Sequence, residues 1–301
     1  MKARGQQMQT LIVKQQDRSQ GQPSLVSVMG TAPGPGELKG ARWYELPLEE
    51  PSNLHWLSGE KPGYIISLEK ACQTGSVPDI QAVIKSNHLS TIKLYKALLI
   101  TLNAGRIHAS AYLLENGAQV VGSTPRNILS APVPSQIPLF ELLIQHGWDI
   151  NKVEEAEDLL LPSLSIVTNL PLLDWFLCHG ANPNVGWRVA DPTLKAGLDN
   201  YCAALEFAAR KGSIEAVRML LDAGACVSNG TPLHSAAGAL PPGSNAHTGR
   251  VTPSEEFDIG MIPIMDDLVN AGADVKQRIE TCHMTPVYAI NHAVMAGAVE
   301  G

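Results

Sequence analysis

The stretch Ala203–Ser228, AALEFAARKGSIEAVRMLLDAGACVS, constrains the fold more than any other part of the chain. Leu205, Ala208 and Ala209 mark one apolar face at helical spacing; Ile214, Val217, Leu220 and Leu221 mark another. Lys211-Gly212 separates the runs as a turn, and Gly224 stands where a left-handed residue closes a helix. The spacing predicts a helix–turn–helix hairpin of about thirty residues. Neither short helix can bury its stripe alone, because isolated helices of this length are marginal in water. The hairpin needs neighbours of its own kind.

Copies of it run along the chain. Ser67–Ser76 aligns with Ala204–Ser213 without a gap, and Ile80, Val83 and Ile84 then fall on Val217, Leu220 and Leu221. Gly105, Ile107, Leu113, Leu114, Gly117 and Ala118 form a further copy. So do Ile137, Phe140, Leu143, Ile144 and Gly147, and then Leu170, Leu173, Phe176, Leu177 and Gly180. After the central copy, Ile262, Met265, Leu268, Val269 and Gly272 repeat the second helix. The closing glycines Gly117, Gly147, Gly180, Gly224 and Gly272 lie 30, 33, 44 and 48 residues apart. Two steps match one hairpin length and two carry insertions.

The hairpin resembles an ankyrin repeat, and Gly230-Thr231-Pro232-Leu233-His234 resembles the opening motif of the next one. The resemblance implies an all-α ankyrin-repeat solenoid of about six to seven helix–turn–helix repeats. It would cover residues 67–301, with insertions at about 184–201 and 239–258 and an incomplete last repeat. Thr231 is expected to cap its helix and Pro232 to occupy the first turn. The resemblance makes His234 a structural histidine, bonded locally together with Thr231. Gly224 is expected in the left-handed conformation. Where the Thr-Pro-Leu-His motif is lost, the repeats are expected to be less regular. Thr285–Ala296 reads as the first helix of one more repeat, with Gly297 as its turn glycine.

Ahead of the repeats, residues 1–40 are rich in Gln, Gly, Ser and Pro and read as a flexible tail. Residues 41–66 hold Trp43, Tyr44, Trp56 and Tyr64, and are expected to dock on the first repeat and cap it.

Composition narrows the function. The net charge is −7, without a Lys/Arg cluster that could track phosphates, so nucleic acid is not the expected partner. No run approaches a membrane span. The five cysteines form no C-x-x-C pair and read as free thiols, which places the chain in the cytoplasm or nucleus. Phosphate-loop, dinucleotide, nucleophile-elbow and HExxH patterns are missing from the sequence. His146 and His179 both precede a closing glycine and suit helix C-termini. Neither a cofactor nor a metal is expected.

The expectation is therefore a protein–protein interaction module or scaffold. The resembling family binds through finger loops and the concave face of its inner helices. Candidate partner contacts are Trp187, Arg188 and Tyr201 in one finger and the acidic Glu154 and Glu155 in another. The alternative is an enzyme built on, or regulated by, the solenoid. A pocket joining the insertions to the concave face would favour that alternative.

Overall fold

The computed structural model describes residues 62–151, 160–161, 163–186, 198–199, 201–244, 251–279 and 288–297. The expected tail and most of the expected capping segment lie outside the described residues.

The helices pair in chain order. Helix α1 (Gly63–Thr74) is followed by α2 (Val77–Ser86), and α3 (Thr91–Asn103) by α4 (Ile107–Glu115). A 3-10 helix (Thr124–Ser130) precedes α5 (Val133–Gln145), and the short α6 (Leu164–Val167) precedes α7 (Leu170–Cys178). Helix α8 (Ala203–Lys211) pairs with α9 (Ile214–Asp222), and α10 (Pro232–Ala237) with α11 (Glu255–Asn270). Helix α12 (Ala289–Ala296) begins a further unit. First helices stack on first helices: α1 on α3, α3 on the 3-10 helix, and then α6, α8, α10 and α12 in series. Second helices stack as a parallel row, α2 on α4, α5, α7, α9 and α11. The main contacts among the described helices run between successive hairpins, which is the packing logic of a solenoid.

The second to sixth repeats close alike, whereas α2 of the first ends at Asn87 in an extended conformation. Gly224 has φ +89°, and its amide donates to the Leu221 carbonyl while the Ala225 amide donates to the Leu220 carbonyl. This bond pair satisfies two carbonyls that the end of α9 would otherwise leave open. Gly117, Gly147, Gly180 and Gly272 repeat the same positive φ.

The loops after these glycines are stitched together by asparagines. Asn151 donates through Nδ2 to the Gly180 carbonyl at 2.7 Å and accepts from the Asn182 amide at 2.8 Å. Asn184 does the same one repeat later, donating to the Gly224 carbonyl at 2.8 Å and accepting from the Cys226 amide at 2.7 Å. At the following step the residue is Ser228, whose hydroxyl meets the Cys226 sulfur at 3.1 Å instead. There Gln277 reaches across, donating to the Gly230 carbonyl at 3.1 Å.

Prolines hold one frame position in four second helices: Pro78, Pro138, Pro171 and Pro263. In α2 and α7 that position lies in the first turn, where the missing N–H costs nothing. In α5 and α11 the helix extends upstream of the repeat's own start, so Pro138 and Pro263 become interior.

Three expectations need adjustment. Helix α1 starts at Gly63, so four residues read as capping segment belong to the first helix. The second insertion ends at Ser254 rather than Asp258, because Ser254 caps α11 by accepting from the Phe257 amide at 3.3 Å. Glu255, Glu256 and Asp258 then suit the positive end of the helix, and Asp258 is buried. Thr231 stands at the N-cap of α10, but its side chain does not accept a capping bond. Its amide and hydroxyl both donate to Glu206 Oε1, at 2.6 and 3.1 Å. Pro232 occupies the first turn as expected.

Candidate functional site

The first insertion leaves the stack through a strand stem. β1 (Val185–Gly186) pairs antiparallel with β2 (Leu198–Asp199), Val185 opposite Asp199 and Gly186 opposite Leu198. Trp187 and Arg188 follow β1 directly but lie outside the described residues, as do Glu154 and Glu155. Tyr201 belongs to the base of the finger. Its amide donates to the Asn184 carbonyl at 3.1 Å and its hydroxyl donates to Glu206 Oε2 at 2.8 Å.

Glu206 thereby joins the finger to the next repeat, since its other oxygen receives both Thr231 donors. The sequence reading missed Glu206 because a lone glutamate on an amphipathic helix looks like a solvated one. The backbone beside it is crowded. A Cβ on Gly230 would approach Glu206 Oε1 to 2.6 Å and Cys202 Sγ to 2.7 Å. That contact explains the glycine before the Thr-Pro-Leu-His motif in this copy.

A cleft of about 650 Å³ runs along the inner helices of the last repeats. The end of α8 contributes Arg210 and Lys211, and α10 contributes Thr231, His234 and Ser235. The second insertion contributes Pro241 to Ser244, α11 contributes Phe257, and α12 contributes His292. His234 is buried, and its ring meets the His292 ring edge-to-face with centroids 5.5 Å apart. His292 also presses on the backbone, lying 3.2 Å from where a Cβ on Gly238 would be. Among the described lining residues there are cations and imidazoles but no carboxylate. In a chain of net charge −7 this is a local reversal of sign.

The thiols divide by burial. Cys72 takes the inward position that Ala209 takes in the central repeat, and both are fully buried. Burial, with Glu69 nearby, pushes the Cys72 thiol up to about 12; burial and Glu206 do the same for Cys202. These groups stay neutral and serve packing. Cys226 is exposed, and the Ser228 hydroxyl holds its thiol below the ordinary value.

His146 and His179 stand at the C-caps of α5 and α7, as expected. His179 Nδ1 lies 2.7 Å from the Trp175 carbonyl, and its ring stacks on Trp175 at 4.1 Å. Among the described residues no group of three His, Cys, Asp or Glu could hold a metal ion. No described helix is long and apolar enough to cross a membrane.

No family model and no curated protein matches the chain. Among solved structures it is similar to the human ASB11 ankyrin repeat domain at 19% identity and a TM-score of 0.48, covering 78% of this chain and 92% of that one. The stacked hairpins, the left-handed closing glycines and the Thr-Pro-Leu-His opening rest on this chain's own geometry. On those features, the chain carries the ankyrin-repeat fold.

Proposed function

We propose that this protein is a recognition module that binds another protein through its inner-helix face and finger loops. The inner-face cleft carries the reading. Arg210, Lys211 and His292 line it and suit carboxylate side chains of a partner. The finger supplies the second contact. Trp187 and Arg188 are residue types that dominate interface energetics, and they follow a strand stem fixed through Tyr201 and Glu206. Glu154 and Glu155, which follow Gly147 in sequence, would meet cationic groups of the same partner. A protein rather than a nucleic acid suits the net charge of −7. The same reading puts the protein in the cytoplasm or nucleus.

The test is affinity capture with mass spectrometry, run in parallel on the wild type, Trp187→Ala and the double variant Arg210→Glu/Lys211→Glu. Capture of the same protein should drop in both variants, with Trp187→Ala costing more than about 1 kcal/mol in a direct titration. A captured set that neither variant changes would overturn the reading. A variant with a lowered melting temperature and intact binding would assign that residue to structure.

A further inference from the structure

Three side chains that line the inner-face cleft stand without partners among the described residues: Arg210, Lys211 and Ser235. Helix α10 packs between α8 and α12, so Ser235 sits at the centre of the cleft's floor. It is only 6% exposed, yet its hydroxyl makes no hydrogen bond with any described residue. The backbone does not absorb it, because the Thr231 carbonyl one turn back takes the Ser235 amide at 3.0 Å. A buried hydroxyl without a partner is costly, and this one opens onto the cleft.

The two cations end α8 on one flank. Capping does not engage them, since the chain closes that helix end itself. The Gly212 amide donates to the Ala209 carbonyl at 3.1 Å and the Ser213 amide to the Ala208 carbonyl at 3.2 Å. Other arginines of the stack are engaged: Arg218 pairs with Asp267 at 2.7 Å, and Arg106 donates to the Gln73 carbonyl at 2.9 Å. Arg210 and Lys211 are exposed instead. On the other flank the half-buried His292 ring is held edge-to-face by His234. The Glu206 carboxylate stands behind Thr231 and is engaged by the Thr231 and Tyr201 donors.

Resting on the reading of this cleft as the partner-binding face, we propose that the anion it anchors is a phosphate, carried on a phosphoserine or phosphothreonine of the partner. A carboxylate offers two oxygens and one charge. A phosphoryl group offers three acceptor oxygens and about 1.5 to 2 charges at pH 7. Two adjacent cations and a hydroxyl donor match the second set better. The Arg210 guanidinium can grip two oxygens as a fork, Lys211 adds a point charge, and Ser235 donates to the remaining oxygen. Leu240, Pro241 and Phe257 give the residues beside the phosphate an apolar wall.

Three degenerate peptide pools of roughly eleven residues, lacking lysine and arginine, provide the probe; the central residue is phosphoserine, glutamate or serine. The full chain should retain the phosphoserine pool at least about tenfold better than either other pool. A peptide selected from it should bind at least about tenfold more weakly to Arg210→Glu/Lys211→Glu. Ser235→Ala should weaken it about threefold or more and leave retention of the glutamate pool unchanged. Circular dichroism should show both variants folded, and Arg210→Gln provides an independent check. Equal retention of the phosphoserine and glutamate pools, both lost in the double variant, would overturn the phosphate and leave the cleft as the binding face. A phosphoserine preference indifferent to Arg210, Lys211 and Ser235 would overturn the site. Inorganic phosphate competing as well as the selected peptide would overturn the assignment to a partner segment. Retention of no pool would overturn the proposal as well, and the affinity capture above would then decide the partner-binding reading by itself.

Discussion

The fourth and fifth repeats share a second helix of nine residues and differ in the first. In the fifth, α8 is a full helix whose buried face is mostly alanine: Ala203, Ala204, Ala208 and Ala209. In the fourth, α6 spans only four residues, held by Ile166 and Val167. Small side chains let helices approach closely, and a shortened helix cannot use them. The fourth repeat is filled differently. Phe140, Trp148, Trp175 and Phe176 form one aromatic cluster with the third repeat, Phe140 and Phe176 meeting edge-to-face at 5.0 Å. Aromatics are only 5% of the chain, so their concentration here marks where a regular helix was lost. The stack survives because the second-helix row, the closing glycines and the asparagine ties are kept.

The largest effect should come from that cluster. Phe176→Ala removes a fully packed ring and should cost about 3–5 kcal/mol, measured by denaturant unfolding. If it costs no more than Ala208→Gly in the fifth repeat, the aromatics are not the compensation described. Asn184→Ala should come next, at about 1–3 kcal/mol, because it removes a carbonyl partner and an amide partner together. Gly224→Val should cost about 1–2 kcal/mol through backbone strain alone, since a Cβ there meets open space. An unchanged melting temperature would mean that the left-handed closure is dispensable.

The smallest effect concerns the thiols. The folded Cys72 and Cys202 ionise near 12, above their ordinary 9.0. The stability they contribute is fully present below about 9, where the unfolded thiols are still protonated, and is lost as pH rises toward 12. Stability should therefore decline at alkaline pH, and Cys72→Ala/Cys202→Ala should flatten the decline. Below that range, iodoacetamide should label Cys178 and Cys226 and spare the buried pair, read by peptide mass spectrometry.

The sequence carried most of the repeat pattern. Hydrophobic spacing placed the second helices, and their glycines all show the positive φ that the reading required. The expectation that repeats without the Thr-Pro-Leu-His motif are less regular fails: α1, α3 and α8 lack it and are full helices, whereas the 3-10 helix keeps Thr124-Pro125. What stayed hidden depends on contacts between distant residues. Thr231 fits a helix cap by its position, but Glu206, one repeat earlier, takes both of its donors. The upstream start of α11 was readable in Ser254-Glu255-Glu256, yet the Pro- and Gly-rich run before it pointed to loop. The cleft combines α8, α10, the second insertion and α12, and the spacing of any one of them gives no hint of it.

The change in stitching at Ser228 has a thermodynamic consequence. In a one-dimensional array, strongly coupled neighbours melt as a single block, and a weaker coupling sets a boundary between blocks. Asn151 and Asn184 join repeats three to five through neutral bonds. Repeat six is joined by Glu206, which takes both Thr231 donors, by Gln277, and by the exposed Arg218–Asp267 ion pair, the tie that salt screens most. Raising ionic strength should thus separate the melting of repeats six and seven from that of the middle block. A ligand in the inner-face cleft touches α8, α10 and α12 at once. Bound there, it would weld the two blocks into one transition, so occupancy would be read as cooperativity as well as affinity.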